Sequence, residues 1–332
     1  MVRFVNRTVY LLLVAILGLI VISFEIKDVH LENYNLIGTH LAVSNRSKKA
    51  PEKVQEETVE EFMKRYSAIH RKRNNYTRKM CRLYRDYIPR MKSQPRLLVN
   101  EEHKMVYCQT PKTGTVSWCR IMLILSGYKN YEEVMKMTAP QVSAAWKTNV
   151  PRLSSFSLEK QKHIMATYTK FMFVRHPLTR LLSAYKDKIA SKNGIYASGF
   201  EMYRKLITNK FRLEPKESNE IEFVHFVNMV VANKGPNSHW GEMYKICFPC
   251  DIDYDVIGRF EDMENDTKYI LTLTNLTDFR LPNSSGAHLT NSSSQAKLDK
   301  AYSSIPLPHL ADLYHRYKYD FTLFDYEIPV SI

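Results

Sequence analysis

The segment from Met105 to Gly127, MVYCQTPKTGTVSWCRIMLILSG, constrains the fold of this chain more than any other segment. A short apolar run is followed by a polar turn, and then by apolar residues that recur at helical spacing. The pattern predicts a strand, a loop and a helix. Such a loop points its backbone N–H groups and the positive end of the helix dipole toward one place, which suits a phosphate or a sulfate.

The loop PKTGTVS, residues 111–117, is called the anion loop below. Pro111 stiffens its start, Gly114 allows the backbone to approach a ligand closely, and Lys112 adds a positive charge among three hydroxyl groups. A Walker A loop places its lysine after the second glycine, whereas Lys112 precedes Gly114, and no magnesium-binding partner is evident. An ATP-dependent enzyme such as a kinase is therefore disfavoured. An ordinary surface turn is the alternative that the loop alone leaves open.

A second segment has the same strand-then-helix pattern. Residues 170–175, KFMFVR, contain four successive apolar residues that predict a buried strand, His176-Pro177 interrupts it, and residues 178–191 are amphipathic. Arg175 then lies at the carboxyl end of a strand, where open α/β sheets bind ligands, and Ser183 lies about two turns into the next helix. Together they can hold a second phosphate group by charge-assisted hydrogen bonds. Alternatively, they are a capping arginine and a surface serine.

The charge of the chain predicts an anionic partner. Its 332 residues carry a net charge of +14, which suits nucleic acid, lipid headgroups, a nucleotide or an acidic polysaccharide. Between Lys64 and Arg96 the basic residues are dense and Asp86 is the one acidic residue. In a lumenal protein this run predicts either contact with acidic glycans or a solvated face, rather than a nucleic-acid arm.

The N-terminus predicts a membrane anchor. Arg3 and Arg7 precede an uncharged run over residues 8–24, which is about the minimum length of a membrane span. Positive charge on the short N-terminal side keeps that side cytoplasmic, so we expect the rest in the lumen. The predicted organisation is a tail (1–7), a transmembrane signal anchor (8–24), a stem (25–79) and a catalytic domain (80–332). A cleaved signal peptide or a buried helix are the alternatives, although no small-x-small cleavage site follows the run.

Glycosylation sequons and cysteines fit a secretory compartment. Six sequons lie on the expected lumenal side, at Asn45, Asn75, Asn265, Asn275, Asn283 and Asn291. The five cysteines are Cys81, Cys108, Cys119, Cys247 and Cys250. An odd number predicts two disulfides and one free thiol, with the pairing left open. No second Cys or His pair completes a zinc site, so structural disulfides are favoured.

With both strand–helix elements in place, the chain resembles the sulfotransferases that use 3′-phosphoadenosine 5′-phosphosulfate (PAPS). It is most similar to the Golgi carbohydrate sulfotransferases that modify chondroitin, dermatan and the HNK-1 glycan. The resemblance covers about residues 80–329. The matching residues are Tyr107, Cys108, Pro111, Lys112, Trp118, Phe173, Val174, Arg175, Pro177, Arg180, Leu181, Ser183, Ala184, Tyr185, Lys188, His239, Trp240, Cys247, Pro249, Cys250, Tyr254, Asp255, Gly258, Glu261, Asp320, Phe321, Phe324, Tyr326 and Pro329.

The resemblance implies an α/β, P-loop-like sulfotransferase fold, in which helices flank a central parallel sheet and one N-terminal transmembrane helix precedes the domain. It implies an enzyme that transfers a sulfuryl group from PAPS to a hydroxyl of a glycosaminoglycan or glycoprotein glycan. The expected acceptor is the 4-position of N-acetylgalactosamine in chondroitin or dermatan. The expected location is the Golgi membrane, as a single-pass type II protein, with no metal and no nucleic-acid partner. A noncatalytic lumenal binder of acidic glycans on the same fold is the alternative.

The same resemblance implies roles for individual residues. Pro111, Lys112, Thr113, Gly114, Thr115, Val116 and Ser117 are expected to bind the 5′-phosphosulfate, and Arg175 and Ser183 the 3′-phosphate. The chain departs from the chondroitin-type pattern in the loop sequence TGTVS and at His176, where the group usually has an acidic residue. Cys119 is extra relative to the family, so it is the expected free thiol.

Sulfuryl transfer needs a base for the proton of the sugar hydroxyl, and histidine suits neutral pH. Lys112 is expected to stabilise the charge that develops on the donor oxygens. His163 is the preferred base because it lies between the two donor motifs in the sequence. His239 is the other candidate, because it adjoins Trp240, whose ring can stack on a sugar. Both can instead be structural histidines, and Glu261 is a weaker candidate for a base or acceptor contact.

Overall fold

The computed structural model describes residues 57–190, 199–213, 221–277, 279 and 295–328. The predicted anchor at 8–24 lies outside these residues, as do the stem up to residue 56 and the sequons at Asn45, Asn283 and Asn291. Among the described residues, no helix combines the length and the apolar character that crossing a membrane requires.

The described residues form one mixed sheet with helices on both faces. The strands are β1 (Leu97–Asn100), β2 (Met105–Cys108), β3 (Thr169–Val174) and β4 (Val256–Arg259). The helices are α1 (Val59–Leu83), α2 (Thr115–Leu125), α3 (Tyr131–Lys136), α4 (Ala139–Asn149), α5 (Leu158–Thr167), α6 (Pro177–Lys188), α7 (Glu201–Phe211), α8 (Phe223–Val231), α9 (Met243–Cys247), α10 (Met263–Leu273), α11 (Gln295–Tyr302) and α12 (Leu307–Leu323).

The strand order is β1-β2-β3-β4, and β2, β3 and β4 are parallel. Met105 pairs with Thr169 and Phe171 pairs with Val256, so the three carboxyl ends lie along one edge. The predicted parallel sheet is confirmed for these strands. β1 is antiparallel to β2, which the prediction of a parallel sheet did not include. The connection over residues 101–104 is too short for a parallel crossover, so the chain forms a hairpin there.

Alternate strand residues enter two different cores. Met105, Tyr107, Phe171 and Phe173 pack on one face with Trp118 of α2. On the other face lie Val106, Cys108, Met172 and Val174, packed beneath α5, α9 and the end of α12. Burial on both faces is what a parallel sheet between two helical layers requires. A third core surrounds α6, α8 and α12 and contains Trp240.

Two disulfides and one buried free thiol are present, as the cysteine count predicted. Cys81 of α1 pairs with Cys250, and Cys108 at the end of β2 pairs with Cys247 of α9. Cys119 is free and 1% exposed, so its assignment as the unpaired cysteine is confirmed. The second disulfide fixes α9 beside the start of the anion loop.

The basic run from Lys64 to Arg96 is partly structural. Arg73 is 16% exposed and donates to both carboxylate oxygens of the fully buried Asp266, at 2.8 Å each. Arg85 forms an ion pair with Asp251 at 2.8 Å. The first pair fastens α1 to α10 and the second fastens the turn after α1 to the segment before β4, so part of the run is neither a solvated face nor a glycan contact. Helix α1 also crosses the expected stem boundary at residue 80 and buries Phe62 in the core.

Candidate active site

The carboxyl edge of the three parallel strands brings together the two predicted anion-binding elements. The anion loop follows β2 and Arg175 follows β3. The Nη1 atom of Arg175 donates a hydrogen bond to the carbonyl oxygen of Lys112 at 3.1 Å. Its guanidinium also lies 4.0 Å from the ring centroid of Phe260, which follows β4. All three strand ends therefore contribute to one site, as expected at this edge of an α/β sheet.

The backbone of the anion loop leaves its N–H groups available to an anion, as the sequence predicts. Gly114 caps α2 with φ of +83°, and a Cβ there would lie 2.3 Å from the Met263 side chain. The hydroxyls of Thr113 and Thr115 both donate to the carbonyl oxygen of Thr110, and these bonds close the loop. Within the described ranges, the backbone N–H groups of residues 113–117 donate no hydrogen bond. They are the donors that the start of a helix leaves for a ligand.

Asp187 is a site residue that sequence reasoning missed. Its Oδ2 lies 2.7 Å from Nζ of Lys112 and 3.4 Å from Nζ of Lys188. The side chains of Lys112 and Asp187 are 13% and 8% exposed. Burial lowers the pKa of Lys112, and the Asp187 carboxylate opposes this shift. The positive charge of Lys112 is thus balanced by the nearby Asp187 carboxylate.

Helix α6 presents three polar residues on one face. Arg180, Ser183 and Asp187 are spaced by three and four residues, which places them one above another along the helix. Ser183 is 2% exposed. The spacing of Arg180, Ser183 and Asp187 is visible in the sequence. It could have identified Asp187 as a site residue beside the predicted Arg175 and Ser183.

Arg180 connects the anion loop to a second loop, residues 237–241. Its Nε donates to the carbonyl oxygen of Pro111 at 2.9 Å. Its Nη1 and Nη2 donate to the carbonyl oxygens of Gly241 and Ser238, both at 2.7 Å. The side chain is 1% exposed, so the planar guanidinium is fully used in joining the two loops.

His239 lies in the loop that Arg180 holds. Its Nδ1 is 2.8 Å from Oδ1 of Asn237, and its ring meets Phe200 edge to face at 5.2 Å between centroids. Burial lowers the pKa of His239 to about 3, and the positive charges of Lys188 and Lys112 act in the same direction. The imidazole beside Lys112 is therefore neutral at neutral pH.

His163 lies elsewhere. It is an exposed residue of α5, and its ring neighbours are Thr167 and Tyr168, which precede β3. The length of β3, about 20 Å at 3.3 Å per residue, separates this end of the strand from Arg175. The preference for His163 came from its place between two motifs in the sequence, and sequence order does not measure distance. The structure brings His239 to the anion loop and not His163.

Both oxygens of Glu261 are occupied by structural hydrogen bonds. Oε1 accepts from the backbone N–H of His176 at 2.8 Å, and Oε2 accepts from the hydroxyl of Tyr326 at 2.8 Å. Burial lowers the pKa of Arg175 to about 10, and the nearby Glu261 opposes this shift, so Arg175 is charged at neutral pH. Glu261 therefore fastens the turn after β3 and favours the charged form of Arg175.

Residues 95–327 match the sequence model of the sulfotransferase family. This range contains the anion loop, Arg175, α6 and His239. The chain belongs to this family. It is therefore an enzyme, and the resemblance that its motifs indicated is confirmed.

Curated relatives of this sulfotransferase are carbohydrate sulfotransferases. Carbohydrate sulfotransferase 11 of Rattus norvegicus is 30% identical over 242 residues, which cover 70% of this chain and 67% of the relative. Carbohydrate sulfotransferase 10 of Xenopus laevis is 30% identical over 256 residues, covering 71% and 69%. Carbohydrate sulfotransferase 9 of Homo sapiens is 27% identical over 314 residues, covering 91% and 65%. No solved structure matches the chain.

The family implies PAPS as the sulfuryl donor, and the site fits a donor with several negative groups. The amides of residues 113–117 and the ammonium of Lys112 are the groups that a phosphosulfate requires, and Arg175 adds a second cation. Among the described residues, no cluster of His, Cys, Asp or Glu could hold a metal ion.

Proposed function

We propose that this sulfotransferase transfers the sulfuryl group of PAPS to a hydroxyl of a glycosaminoglycan or glycoprotein glycan. We propose the 4-position of N-acetylgalactosamine in chondroitin or dermatan as the acceptor. The observation that carries the proposal is the convergence of Lys112, Arg175 and the amides of residues 113–117 on one strand edge. The net charge of +14 and the carbohydrate sulfotransferase relatives support an acidic glycan as the acceptor.

In this proposal the anion loop, Pro111 to Ser117, binds the 5′-phosphosulfate, and Arg175 with Ser183 binds the 3′-phosphate. Sulfuryl transfer resembles phosphoryl transfer in needing in-line geometry and stabilisation of charge on the leaving oxygen. Lys112 supplies that charge, while Asp187 keeps its ammonium in place. Neither Lys112 nor Asp187 needs to form a covalent bond to the substrate in these roles.

We assign the base to His239 rather than His163. Arg180 holds the loop of His239 against the anion loop that contains Lys112. His163, in contrast, lies near the amino-terminal end of β3, opposite the end that carries Arg175. A base must reach the hydroxyl that attacks the donor, so proximity to the anion loop decides between them.

The low pKa of His239 is compatible with this assignment. Besides burial, the charges of Lys188 and Lys112 lower it, and a bound anionic donor offsets those charges. Its pKa then rises from the value in the free protein, while burial keeps the imidazole neutral and able to accept a proton at neutral pH.

The predicted membrane anchor at 8–24 and a Golgi location remain part of the proposal. The asparagines of the three described lumenal sequons, Asn75, Asn265 and Asn275, are exposed, which supports a glycosylated lumenal domain. Loss of mass on treatment with an N-glycan amidase is the expected result. An unchanged mass in the protein from its native compartment would contradict a lumenal domain.

The acceptor is tested by incubating the protein with labelled PAPS and desulfated chondroitin, dermatan, heparan and HNK-1-type acceptors. We expect label in chondroitin or dermatan, with digestion of the product locating it at the 4-position. Label only in another acceptor would overturn the assignment of the sugar but keep the reaction. Donor binding without transfer to any of these glycans would place the acceptor outside the panel, whereas failure to bind the donor at all would favour the noncatalytic glycan binder.

A further inference from the structure

Asn237 contacts His239 twice through one oxygen atom. Its Oδ1 lies 2.9 Å from the backbone nitrogen of His239 and 2.8 Å from the ring Nδ1. Its Nδ2 lies 3.0 Å from the hydroxyl oxygen of Tyr203 on α7.

The backbone contact determines which end of the amide faces His239. A backbone N–H can only donate, so the atom that it meets at 2.9 Å is the amide oxygen and not the nitrogen. The NH2 group then points to Tyr203. The Tyr203 hydroxyl accepts from Nδ2 of Asn237 and donates to the carbonyl oxygen of Pro236 at 3.3 Å. The backbone N–H of His239, the Asn237 amide NH2 and the Tyr203 hydroxyl each donate to an acceptor in this network.

This polarity extends to the imidazole ring. Because Oδ1 of Asn237 accepts, the hydrogen of the neutral ring is on Nδ1 and the lone pair is on Nε2. Within the part of the chain that the structure describes, Nε2 has no hydrogen-bond partner. The charged groups that face His239 are Lys112 in the anion loop and Arg180, Asp187 and Lys188 on α6.

We propose that Asn237 is a positioning residue that holds His239 as the Nδ1–H tautomer and so directs the basic Nε2 toward the sugar hydroxyl. This inference rests on the proposed role of His239 as the base. In the step it serves, the hydroxyl proton moves to Nε2 while the hydroxyl oxygen forms a bond to sulfur. The bond from sulfur to the phosphate oxygen breaks, and its electron pair stays on the departing 3′-phosphoadenosine 5′-phosphate. The imidazolium then returns its proton to water.

The tautomer is measured directly by nitrogen-15 NMR of the labelled protein, in the wild type and in Asn237→Leu. The expected result is a protonated Nδ1 and a bare Nε2 in the wild type, with this preference lost in the variant. Asn233→Asp is the control, since Asn233 belongs to the same segment but contacts Arg316 at 3.1 Å and not the histidine. A wild type protonated on Nε2, or an unchanged tautomer in Asn237→Leu, would overturn the inference.

Kinetics provide the second measurement. We expect Asn237→Leu to lower kcat by about 10- to 100-fold with an unchanged KM for PAPS, as for other residues that orient an imidazole. Asn237→Asp keeps the acceptor but adds a negative charge, so most of kcat returns at high pH and the acidic limb moves to higher pH. A profile in Asn237→Asp that coincides with the wild type would overturn the positioning role.

His239→Gln separates this inference from the function on which it rests. If kcat is unchanged in that variant while the NMR result holds, the base assignment fails and the role of Asn237 in catalysis fails with it. If His239→Gln abolishes transfer but Asn237→Leu does not affect kcat, only the inference about Asn237 is overturned.

Discussion

Arg180 offers the sharpest test of how the site is held together, because its guanidinium joins two loops that carry different functions. It donates to Pro111 in the anion loop, and to Ser238 and Gly241 on either side of His239. The substitution Arg180→Lys keeps the charge but replaces a planar fork with a single ammonium group. That group cannot reach the three carbonyl oxygens at once, so about two hydrogen bonds are lost.

The magnitude follows from the number of bonds and from their burial. A hydrogen bond from a charged group contributes about 1.5–3 kcal/mol, and two of them amount to about 3–6 kcal/mol of unfolding free energy. Arg180 is 1% exposed, so water does not replace the lost partners. A loss of this size is a large share of the 5–15 kcal/mol by which domains are typically stable.

The assay is urea unfolding followed by tryptophan fluorescence, since Trp240 lies in the loop that Arg180 holds. The matched control is Arg78→Lys, because Arg78 pairs with Asp253 at 2.7 Å while the two side chains are 44% and 74% exposed. An exposed pair contributes under about 1 kcal/mol. A loss in Arg180→Lys no larger than in Arg78→Lys would refute the reasoning.

Three further predictions concern charge, thiols and pH. Asp187→Asn removes the carboxylate that keeps the buried Lys112 ammonium charged and in place, so calorimetry should show about three- to tenfold weaker binding of 3′-phosphoadenosine 5′-phosphate; equal or tighter binding would contradict this. An alkylating reagent should modify one cysteine, Cys119, in the denatured and unreduced protein, and none in the folded protein; a modified Cys81 would disprove the pairing. His239 has a folded pKa of about 3 against about 6.5 unfolded, so the unfolded chain alone binds the proton below pH 6.5. From this residue, unfolding free energy should fall by up to about 1.4 kcal/mol per pH unit between pH 6 and pH 4, and the slope should be smaller by that amount in His239→Gln.

The local elements of the site could be predicted from the sequence. The strand, loop and helix over residues 105–125 depend on apolar spacing and on Gly114, which are properties of neighbouring residues. The position of Arg175 after a strand is equally local. Because parallel strands end at one edge, the meeting of Lys112 and Arg175 also followed from the pattern.

Features that depend on distant parts of the chain could not be obtained in this way. The pairing of Cys108 with Cys247 joins residues 139 apart, and the number of cysteines sets only how many pairs form. The choice of His163 over His239 had the same weakness, because position between two motifs does not measure distance. Arg73 of α1 contacts Asp266 only after folding, because the two residues are far apart in the sequence. The sequence therefore showed only a basic run where the structure has a buried ion pair.

Lys112 is the residue on which the proposed transfer depends most, and single-turnover transfer of labelled sulfate tests its role most directly. Wild type, Lys112→Ala and Lys129→Ala are compared with saturating PAPS and the acceptor that the wild type uses. Lys129 is the control because it is an exposed lysine that pairs with Glu133 at 3.3 Å on the surface. We expect transfer to fall by about 10²- to 10³-fold in Lys112→Ala, as when one donor that stabilises a transition-state oxyanion is removed, and to be unchanged in Lys129→Ala. Equal transfer by the two variants would contradict the placement of the sulfuryl group in the anion loop.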